Sequence, residues 1–511
     1  MIILHIDTGT KKFSKNVLLI DAHSHLGRDE DGLQNMNPLS PEGTINFYAE
    51  INKTLQERLG TYHQFQIKLN DQLYRFTFEF KPHPFSYNLC KSISERCHCG
   101  SHSDLFNKLK GSWIVDQGVV FPFQDVFRDR RPEALYRASN LNISRFTTKF
   151  PYSLKLIGYA RCDPMEGPKA IEEVRNAIQN LGLRGLKLHP RSDLWLDNIT
   201  DQKVALVLIE AARHSIPVLF DTRGKKSILA IHQLVKITRE MMKQQKQENL
   251  IPHLKVIIAH CAMGYIGDND IYEAISDPQT FGEISMLHGK GSSEFYLAFM
   301  NWYNSHKKAT GKRWSEHIIF GTDFPYFSTK HACDNIAFLL SPPFIQNGGT
   351  IIDTENILGL NILRAFSEYN HQVVQHDACQ PYYIHYAMES LPNNLNIATN
   401  VLSHLIEDKI IQIPKINYMF SESYQNYQNE VLIHTQSNSE SKNPKKIKLL
   451  YLNFIKNKYL LFSNLIKDEI WNPLGYKYFN PNHKKFLLRH FPFNFVSDEG
   501  QIYKSFRKIY K

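Results

Sequence analysis

Two histidines with one residue between them, His23 and His25, follow the apolar run Val-Leu-Leu-Ile at 17–20. Residues two apart in a strand point to the same side, so both imidazoles can reach one metal ion. Neutral imidazole suits zinc and similar divalent ions. The chain has 23 histidines among 511 residues, so a pair at this spacing is weak evidence by itself. Its weight depends on the side chains that the fold brings beside it.

Three later apolar runs also end in side chains suited to ligand or acid–base chemistry. Asp221 follows Pro-Val-Leu-Phe, His260 follows Val-Ile-Ile-Ala, and Asp323 follows Ile-Ile-Phe-Gly-Thr. A carboxylate there can ligate a divalent ion or accept a proton from water. We predict that Asp221 and Asp323 complete the metal site and that Asp323 and His260 act in catalysis. The alternatives are a helix N-cap for Asp323 and an ion pair with Arg223 for Asp221.

Lys187 and His189 end another apolar run, Gly-Leu-Lys-Leu-His-Pro, and share one face of it. A buried, unpaired ammonium group is costly, so Lys187 needs a partner. It could contact an anionic substrate, pair with Asp221 or Asp323, or be carboxylated to a carbamate that bridges two metal ions. We predict a catalytic role for Lys187 and a substrate contact for His189.

Three arginines follow the third, fourth and fifth apolar runs: Arg161, Arg191 and Arg223. A guanidinium group binds carboxylates through two parallel hydrogen bonds, so arginines near one site favour an acidic substrate. We predict that all three contact the substrate, and solvated loop arginines are the alternative.

Eight apolar runs that alternate with helical segments position these side chains. The runs lie at 17–20, 115–123, 154–164, 183–190, 216–224, 254–264, 281–287 and 317–325, and the helical segments include 168–182, 201–214, 226–247 and 355–366. Buried strands alternating with helices indicate a parallel sheet, and eight such units predict a TIM (β/α)₈ barrel of the α/β class. The candidate residues then lie at its carboxyl-terminal mouth, where barrel enzymes carry their active sites.

The barrel is predicted to span residues 1–370, with a lead-in at 1–16 that could add an edge strand and a large insertion at about 28–110. The insertion contains a helix at 42–59 and the alternating stretch QLYRFTFEF, which is typical of a hairpin strand. Residues 371–511 differ in character, with polar stretches such as QSNSESKNPKK. They are predicted to form a C-terminal accessory region of unknown α+β fold.

Composition and charge indicate which kinds of molecule the protein is expected to bind. The net charge of +10 is mild for this length, so it permits an anionic substrate and does not indicate nucleic-acid binding. The seven cysteines form no disulfide-like framework, the N-terminal residues do not resemble a signal peptide, and no apolar run approaches the roughly 18 residues of a membrane helix. We expect a cytoplasmic protein with a small-molecule substrate and no membrane or nucleic-acid partner, and we leave homodimer formation open.

Taken in order, these segments resemble the amidohydrolase superfamily. The resemblance is carried by His-x-His at 23–25, GLRGLKLHP at 182–190, PVLF at 217–220, KVIIAH at 255–260 and FGTDFP at 320–325. The helix before the fourth strand and ILGLNILRAF at 357–366 are similar to the amidohydrolase-related branch, which includes aminocarboxymuconate-semialdehyde decarboxylase.

The resemblance implies roles residue by residue. It implies that His23, His25 and Asp323 bind the metal, and that His260 positions or polarises the attacking water or the substrate. Asp221 stands where this branch usually has a histidine. That exchange keeps a ligand atom but adds negative charge, which lowers the Lewis acidity of the metal.

The expected function is metal-dependent hydrolysis of a small anionic amide, ester or lactone. The metal lowers the pKa of water, and Asp323 takes the proton. Zinc is the expected ion, with manganese and iron as alternatives, and one or two ions are open, since Lys187 stands near the position where members such as dihydroorotase carry a carboxylated lysine. Two other functions remain open: a non-oxidative metal-dependent decarboxylase of a small carboxylic acid, and an inactive barrel that serves as a binding or scaffold module.

Overall fold

The computed structural model describes residues 2–26, 42–80, 111–112, 114–122, 134–147, 155–181, 183–261, 265–307 and 311–366. Residues 81–110 and everything after 366 lie outside these ranges. The accessory region predicted at 371–511 is among them, so the predicted domain division stays a prediction.

Twelve strands are present in the described residues, and eight of them form one parallel sheet. The strands are β1 (Ile2–Asp7), β2 (Lys12–Val17), β3 (Ile20–Leu26), β4 (Tyr62–Leu69), β5 (Gln72–Phe80), β6 (Gln117–Pro122), β7 (Leu156–Arg161), β8 (Gly185–Leu188), β9 (Val218–Phe220), β10 (Val256–Ile258), β11 (Thr280–Glu283) and β12 (Ile318–Ile319). The parallel sheet has the order β12-β11-β10-β9-β8-β7-β6-β3. Its strands are buried except for the half-buried Phe281, as expected of apolar runs in a parallel sheet.

The two end strands of this sheet meet and close it. We call the join between β3 and residues 318–324 the closing seam. Across it, the Ala22 N–H donates to the Phe320 carbonyl at 3.1 Å, the Asp323 N–H donates to the His23 carbonyl at 2.7 Å, and the His25 N–H donates to the Phe324 carbonyl at 2.8 Å. The sheet is therefore a barrel, and the prediction of a (β/α)₈ fold is confirmed.

Helices alternate with the barrel strands, and neighbouring helices pack together. They are α1 (Glu42–Leu59), α2 (Arg137–Thr147), α3 (Pro168–Gln179), α4 (Gln202–Arg213), α5 (Lys225–Gln244), α6 (Asn269–Ile275), α7 (Lys290–His306), α8 (Thr329–Leu339), α9 (Pro342–Gln346), α10 (Ile351–Glu355) and α11 (Asn361–Ala365), with a π-helical turn at Asn356–Leu360. None of the helices in the described part of the chain combines the length and apolar character that crossing a membrane requires.

The helix α1 belongs to the ring of barrel helices. It follows β3 in the chain and packs against α8, the helix after the last barrel strand. Tyr48, Ile51 and Leu55 lie on one face of α1 and are fully buried. The insertion predicted at 28–110 therefore contains the first helix of the barrel as well as additional material.

That additional material includes a hairpin, β4–β5, which joins the lead-in in a second, antiparallel sheet of order β2-β1-β5-β4. The buried cross-strand pairs between β1 and β5 are Ile2 with Phe80, Leu4 with Phe78 and Ile6 with Phe76. Alternation of apolar and polar residues predicted β5 correctly. The lead-in is more than an edge strand, because β1 is paired on both sides.

The first barrel strand begins later than predicted. The run at 17–20 spans the end of β2 and the start of β3, so His23 and His25 lie inside β3 and not after it. Its pairing with β6 shifts register between Asp21 and Ser24. The apolar run ends early because the second half of this buried strand carries polar side chains.

Replacing Gly359 with alanine tests how the closing helical turn packs on the chain that enters β3. A Cβ there would lie 2.7 Å from both the carbonyl oxygen and the Cβ of Leu18, so backbone would have to shift. We expect Gly359→Ala to lower the free energy of unfolding by about 1–3 kcal/mol, the usual cost of overpacking, measured by chemical denaturation. Gly291→Ala is the matched control, since its Cβ would meet nothing within 4 Å. Equal stability of the two variants would contradict this packing.

Candidate metal centre

The predicted site residues gather at the carboxyl-terminal ends of the barrel strands. His23 and His25 lie in β3 and Lys187 in β8; His189 and Asp221 directly follow β8 and β9; and His260 and Asp323 come shortly after β10 and β12. All seven side chains are buried. This is the end of the barrel at which TIM-barrel enzymes carry their active sites.

Three ligand atoms converge at the closing seam. Asp323 Oδ1 lies 3.1 Å from His25 Nε2 and 3.2 Å from His23 Nε2. Bonds of about 2.0–2.1 Å in a tetrahedral site place neighbouring ligand atoms roughly 3.3 Å apart, so this spacing fits a small divalent ion. Among the described residues these three side chains form one of two groups whose ligand atoms all lie within 4.8 Å of one another; the other is His23, His260 and Glu283.

The hydrogen bonding of His23 suits a cation at this point. Its Nδ1 lies 2.9 Å from Glu283 Oε2. A carboxylate only accepts, so Nδ1 carries the hydrogen and Nε2 presents a lone pair to Asp323 Oδ1. Two acceptors face each other stably only with a proton or a metal ion between them. The donor set therefore fits a bound divalent cation.

Glu283, at the end of β11, is a site residue that the sequence reasoning missed. It is fully buried, and its carboxylate accepts from the Ser285 backbone N–H at 2.7 Å as well as from His23. Such an outer carboxylate fixes the tautomer of a ligating histidine. The available signal was an acidic residue inside the run at 281–287, where a buried charge needs a partner.

His260 is oriented through the same carboxylate. Ser285 Oγ donates to Glu283 Oε2 at 3.0 Å and lies 2.8 Å from His260 Nδ1, which must therefore carry the hydrogen. The Nε2 lone pair then faces Asp221 Oδ1 at 3.4 Å and Asp323 Oδ2 at 3.7 Å. A proton or a second cation fits this place, so one or two ions remain open.

Asp221 lies beside the first group and belongs to neither of the two groups found in the described residues. His189 accepts the Ser192 N–H at Nδ1, so its Nε2 hydrogen points to Asp221 Oδ1 at 3.5 Å. Arg223 Nε lies 3.3 Å from Asp221 Oδ2. The ion pair considered as an alternative is thus present, and metal ligation by Asp221 stays a prediction.

Lys187 reaches the same nitrogen that the candidate cation would use. Its Nζ lies 3.0 Å from His23 Nε2 and 4.8 Å from the centroid of the Phe121 ring. Burial lowers the pKa of Lys187 to about 8, although Asp221 and Asp323 act in the opposite direction. The amine and a metal ion cannot both engage this lone pair, and carboxylation of Lys187 stays a prediction.

Arg161 has an internal partner. Its Nη2 donates to both carboxylate oxygens of Asp193, at 3.0 and 2.9 Å, and its guanidinium lies 4.4 Å from the centroid of the Tyr136 ring. The group is 1% exposed. Asp193 lies in the loop after β8, so the ion pair with Arg161 holds this loop in position. The substrate contact predicted for Arg161 stays a prediction. Arg191 and Arg223 are exposed, which leaves both accessible.

Two site residues adopt a backbone conformation that is uncommon outside glycine. His260 has φ 53° and Asp323 has φ 51°. Left-handed residues cost of order 1–3 kcal/mol unless the surroundings fix them, and they cluster at functional sites. Both residues lie at the mouth, His260 two residues after β10 and Asp323 four residues after β12.

The ionisation of the ligand group suits a cation. Burial opposes the charged form of Asp323, but His23 and His260 hold the pKa of Asp323 well below its usual range. Burial lowers the pKa of His25 to about 3, which keeps this imidazole neutral. For His23, burial is outweighed by Asp323 and Glu283, so its pKa is raised.

No protein-family model matches the chain, and no curated protein matches it. Solved structures match part of it. 5-Carboxyvanillate decarboxylase from Sphingomonas paucimobilis is 12% identical with a TM-score of 0.36, and the match covers 69% of this chain and 99% of that chain. 4-Oxalomesaconate hydratase from Rhodopseudomonas palustris is 14% identical with a TM-score of 0.38, over 68% and 95%. 2,6-Dihydroxybenzoate decarboxylase from Rhizobium is 12% identical with a TM-score of 0.34, over 56% and 96%. At these values the likeness does not indicate an activity.

Glu283→Gln tests the outer carboxylate. Glutamine keeps the size but loses the charge that holds the Nδ1 hydrogen of His23, so we expect Zn²⁺ affinity to fall by about 10–100-fold. Competition with a chelating dye measures the affinity. Glu210→Gln is the matched control, because Glu210 is a buried carboxylate on α4 that pairs with Arg175. An equal loss in both variants would assign no specific role to Glu283.

Proposed function

We propose that the chain is a metal-dependent hydrolase of the amidohydrolase superfamily, acting on a small anionic amide, ester or lactone. The observation that carries this proposal is the convergence of His23 Nε2, His25 Nε2 and Asp323 Oδ1 at the closing seam, with distances of 3.1 and 3.2 Å to the carboxylate oxygen. The sequence resemblance supports it, because the same residues match the superfamily's ligand positions.

His23, His25 and Asp323 would hold the ion, and Asp221 stands close enough to His260 to join a second position. A bound divalent ion supplies Lewis acidity that polarises a substrate oxygen and lowers the pKa of a water molecule. Two imidazole nitrogens and one carboxylate oxygen suit zinc, with manganese and iron as alternatives.

The protein's own groups divide the proton chemistry between them. Asp323 Oδ2 points away from the two histidines of β3 and towards His260 Nε2, so this oxygen is placed to take a proton from water and return it to a leaving group. Its low pKa keeps it ionised at neutral pH. Lys187, as an ammonium ion, can donate a hydrogen bond to a substrate oxygen.

Exposed basic side chains support an anionic substrate. Arg191 and Arg223 follow β8 and β9 on the mouth side, and both are accessible. Arg223 is held by Asp221 at 3.3 Å, which fixes the position of its guanidinium group. The same donor set would also serve a non-oxidative decarboxylase, in which these groups would hold the substrate carboxylate.

Removing ligands tests the metal site directly. We expect the purified wild-type protein to contain zinc, manganese or iron by elemental analysis, and His25→Ala and Asp323→Asn to lose it. The loss of affinity should exceed the roughly 100-fold that removal of an outer partner costs. Asparagine also tolerates the left-handed backbone at 323, so this variant should fold. Asp277→Asn, which disrupts an ion pair with Arg239 elsewhere in the barrel, is the matched control.

The reaction type is tested with two substrate panels in parallel. Release of acid or ammonia from small anionic amides, esters and lactones supports hydrolysis, whereas release of carbon dioxide from small carboxylic acids supports decarboxylation. If the wild-type protein binds none of the three metals, even after incubation with them, the proposal is contradicted. The inactive barrel that serves as a binding or scaffold module would then be the remaining function.

A further inference from the structure

We infer that Asp21 is a positioning residue that sets the ligand geometry by clamping the two sides of the closing seam. The inference rests on the proposed metal site and adds to it a residue that none of the roles above uses. Asp21 is fully buried, next to the ligand-bearing part of β3, and it belongs to neither of the ligand groups found in the described residues.

The carboxylate of Asp21 accepts four hydrogen bonds. Oδ1 accepts the backbone N–H of His23 at 3.0 Å and that of Thr322 at 2.9 Å. Oδ2 accepts the Thr322 hydroxyl at 2.7 Å and the Tyr48 hydroxyl at 2.9 Å. All four donors point to one carboxylate, so this group joins the backbone on both sides of the seam.

The clamp is needed because the strand that should hold Asp323 stops short of it. β12 comprises Ile318 and Ile319, and the chain reaches Asp323 without further sheet pairing apart from the seam contacts. Asp323 also has a positive φ, which the surroundings must maintain. By binding both the N–H and the hydroxyl of Thr322, Asp21 fixes the residue immediately before this ligand.

The same carboxylate acts on the other side of the seam. It binds the N–H of His23, at the register shift of β3 between Asp21 and Ser24. One buried group therefore orients the backbone of a histidine ligand and of the residue beside the aspartate ligand. His23 Nε2 and Asp323 Oδ1, which lie 3.2 Å apart, thus have the nearby backbone held by the same carboxylate.

Tyr48 extends the clamp to α1. The side chain is fully buried, and a Cβ on Gly118 of β6 would lie 1.8 Å from the Tyr48 hydroxyl oxygen, so Gly118 leaves the space that the ring occupies. The first helix of the barrel is thus tied to the ligand strand through its hydroxyl and through packing on the neighbouring strand.

Metal affinity and ligand-field spectra distinguish positioning from general stability. We expect Asp21→Asn to weaken Zn²⁺ binding by about 10–100-fold, the range typical of outer-shell partners, and to change the visible absorption of bound Co²⁺, which reports ligand geometry. Thr322→Val and Tyr48→Phe should cause smaller losses in the same direction. Circular dichroism and cooperative unfolding show whether each variant is folded.

Matched substitutions elsewhere in the barrel serve as controls. Thr238→Val and Thr147→Val remove buried hydroxyls that bond to the Leu234 and Ile143 carbonyls within α5 and α2. They should lower stability without altering Zn²⁺ affinity or the Co²⁺ spectrum. The inference is overturned if folded Asp21→Asn and Thr322→Val bind both metals as the wild type does, or if the controls lose as much affinity.

His25→Ala, which lacks a proposed ligand, gives the level of Zn²⁺ and Co²⁺ binding expected without the metal site. A wild-type protein that binds Zn²⁺ and Co²⁺ no better than His25→Ala overturns the proposed function and the clamp together. A wild-type protein that binds them well, with Asp21→Asn unchanged, overturns the clamp alone and leaves the proposed function intact.

Discussion

Closure of the parallel barrel is the constraint on which the rest of the structure depends. The first barrel strand and the segment after the last one must meet, and the candidate ligands lie on both sides of that join. Asp323 Oδ1 on one side lies 3.2 Å from His23 Nε2 and 3.1 Å from His25 Nε2 on the other. The backbone hydrogen bonds of the seam position the metal-ligand atoms, and a cation bound between these atoms would in turn strengthen the seam. Fold and site are therefore a single arrangement of the same residues.

The balance between buried carboxylates and basic groups is a second constraint on the candidate site. Despite burial, which opposes ionisation, neighbouring basic groups lower the pKa values of Asp221, Glu283 and Asp323. Lys187 supplies a positive charge at the base of this group, and Arg223 supplies another at its exposed side. Negative charge remains to be neutralised, by a proton on His23 or by a metal ion. A low-dielectric pocket with this imbalance favours a cation over a neutral ligand.

Much of the barrel and part of the site could be predicted from sequence because both leave local traces. Buried parallel strands are continuous apolar runs, and ligands at their ends interrupt those runs in a recognisable way. Glu283 interrupts its apolar run in the same way, but nothing local identifies its partner, since His23 lies 260 residues away. The engagement of Arg161 by Asp193 likewise depends on a loop conformation that no spacing rule gives. The local sequence pattern specifies which strands and helices form. Pairing between side chains distant in sequence decides which charged groups are already engaged within the protein and which could contact a ligand.

The separation of the two sides of the seam has a consequence for how the protein is made. His25 and Asp323 are 298 positions apart. During synthesis at about 5–20 residues per second, β3 waits roughly 15–60 s before its second neighbour leaves the ribosome. For that time one edge of a buried strand carrying two histidines is unpaired, and unpaired edges promote aggregation. The candidate ligands are thus brought together last, when the whole barrel has been translated.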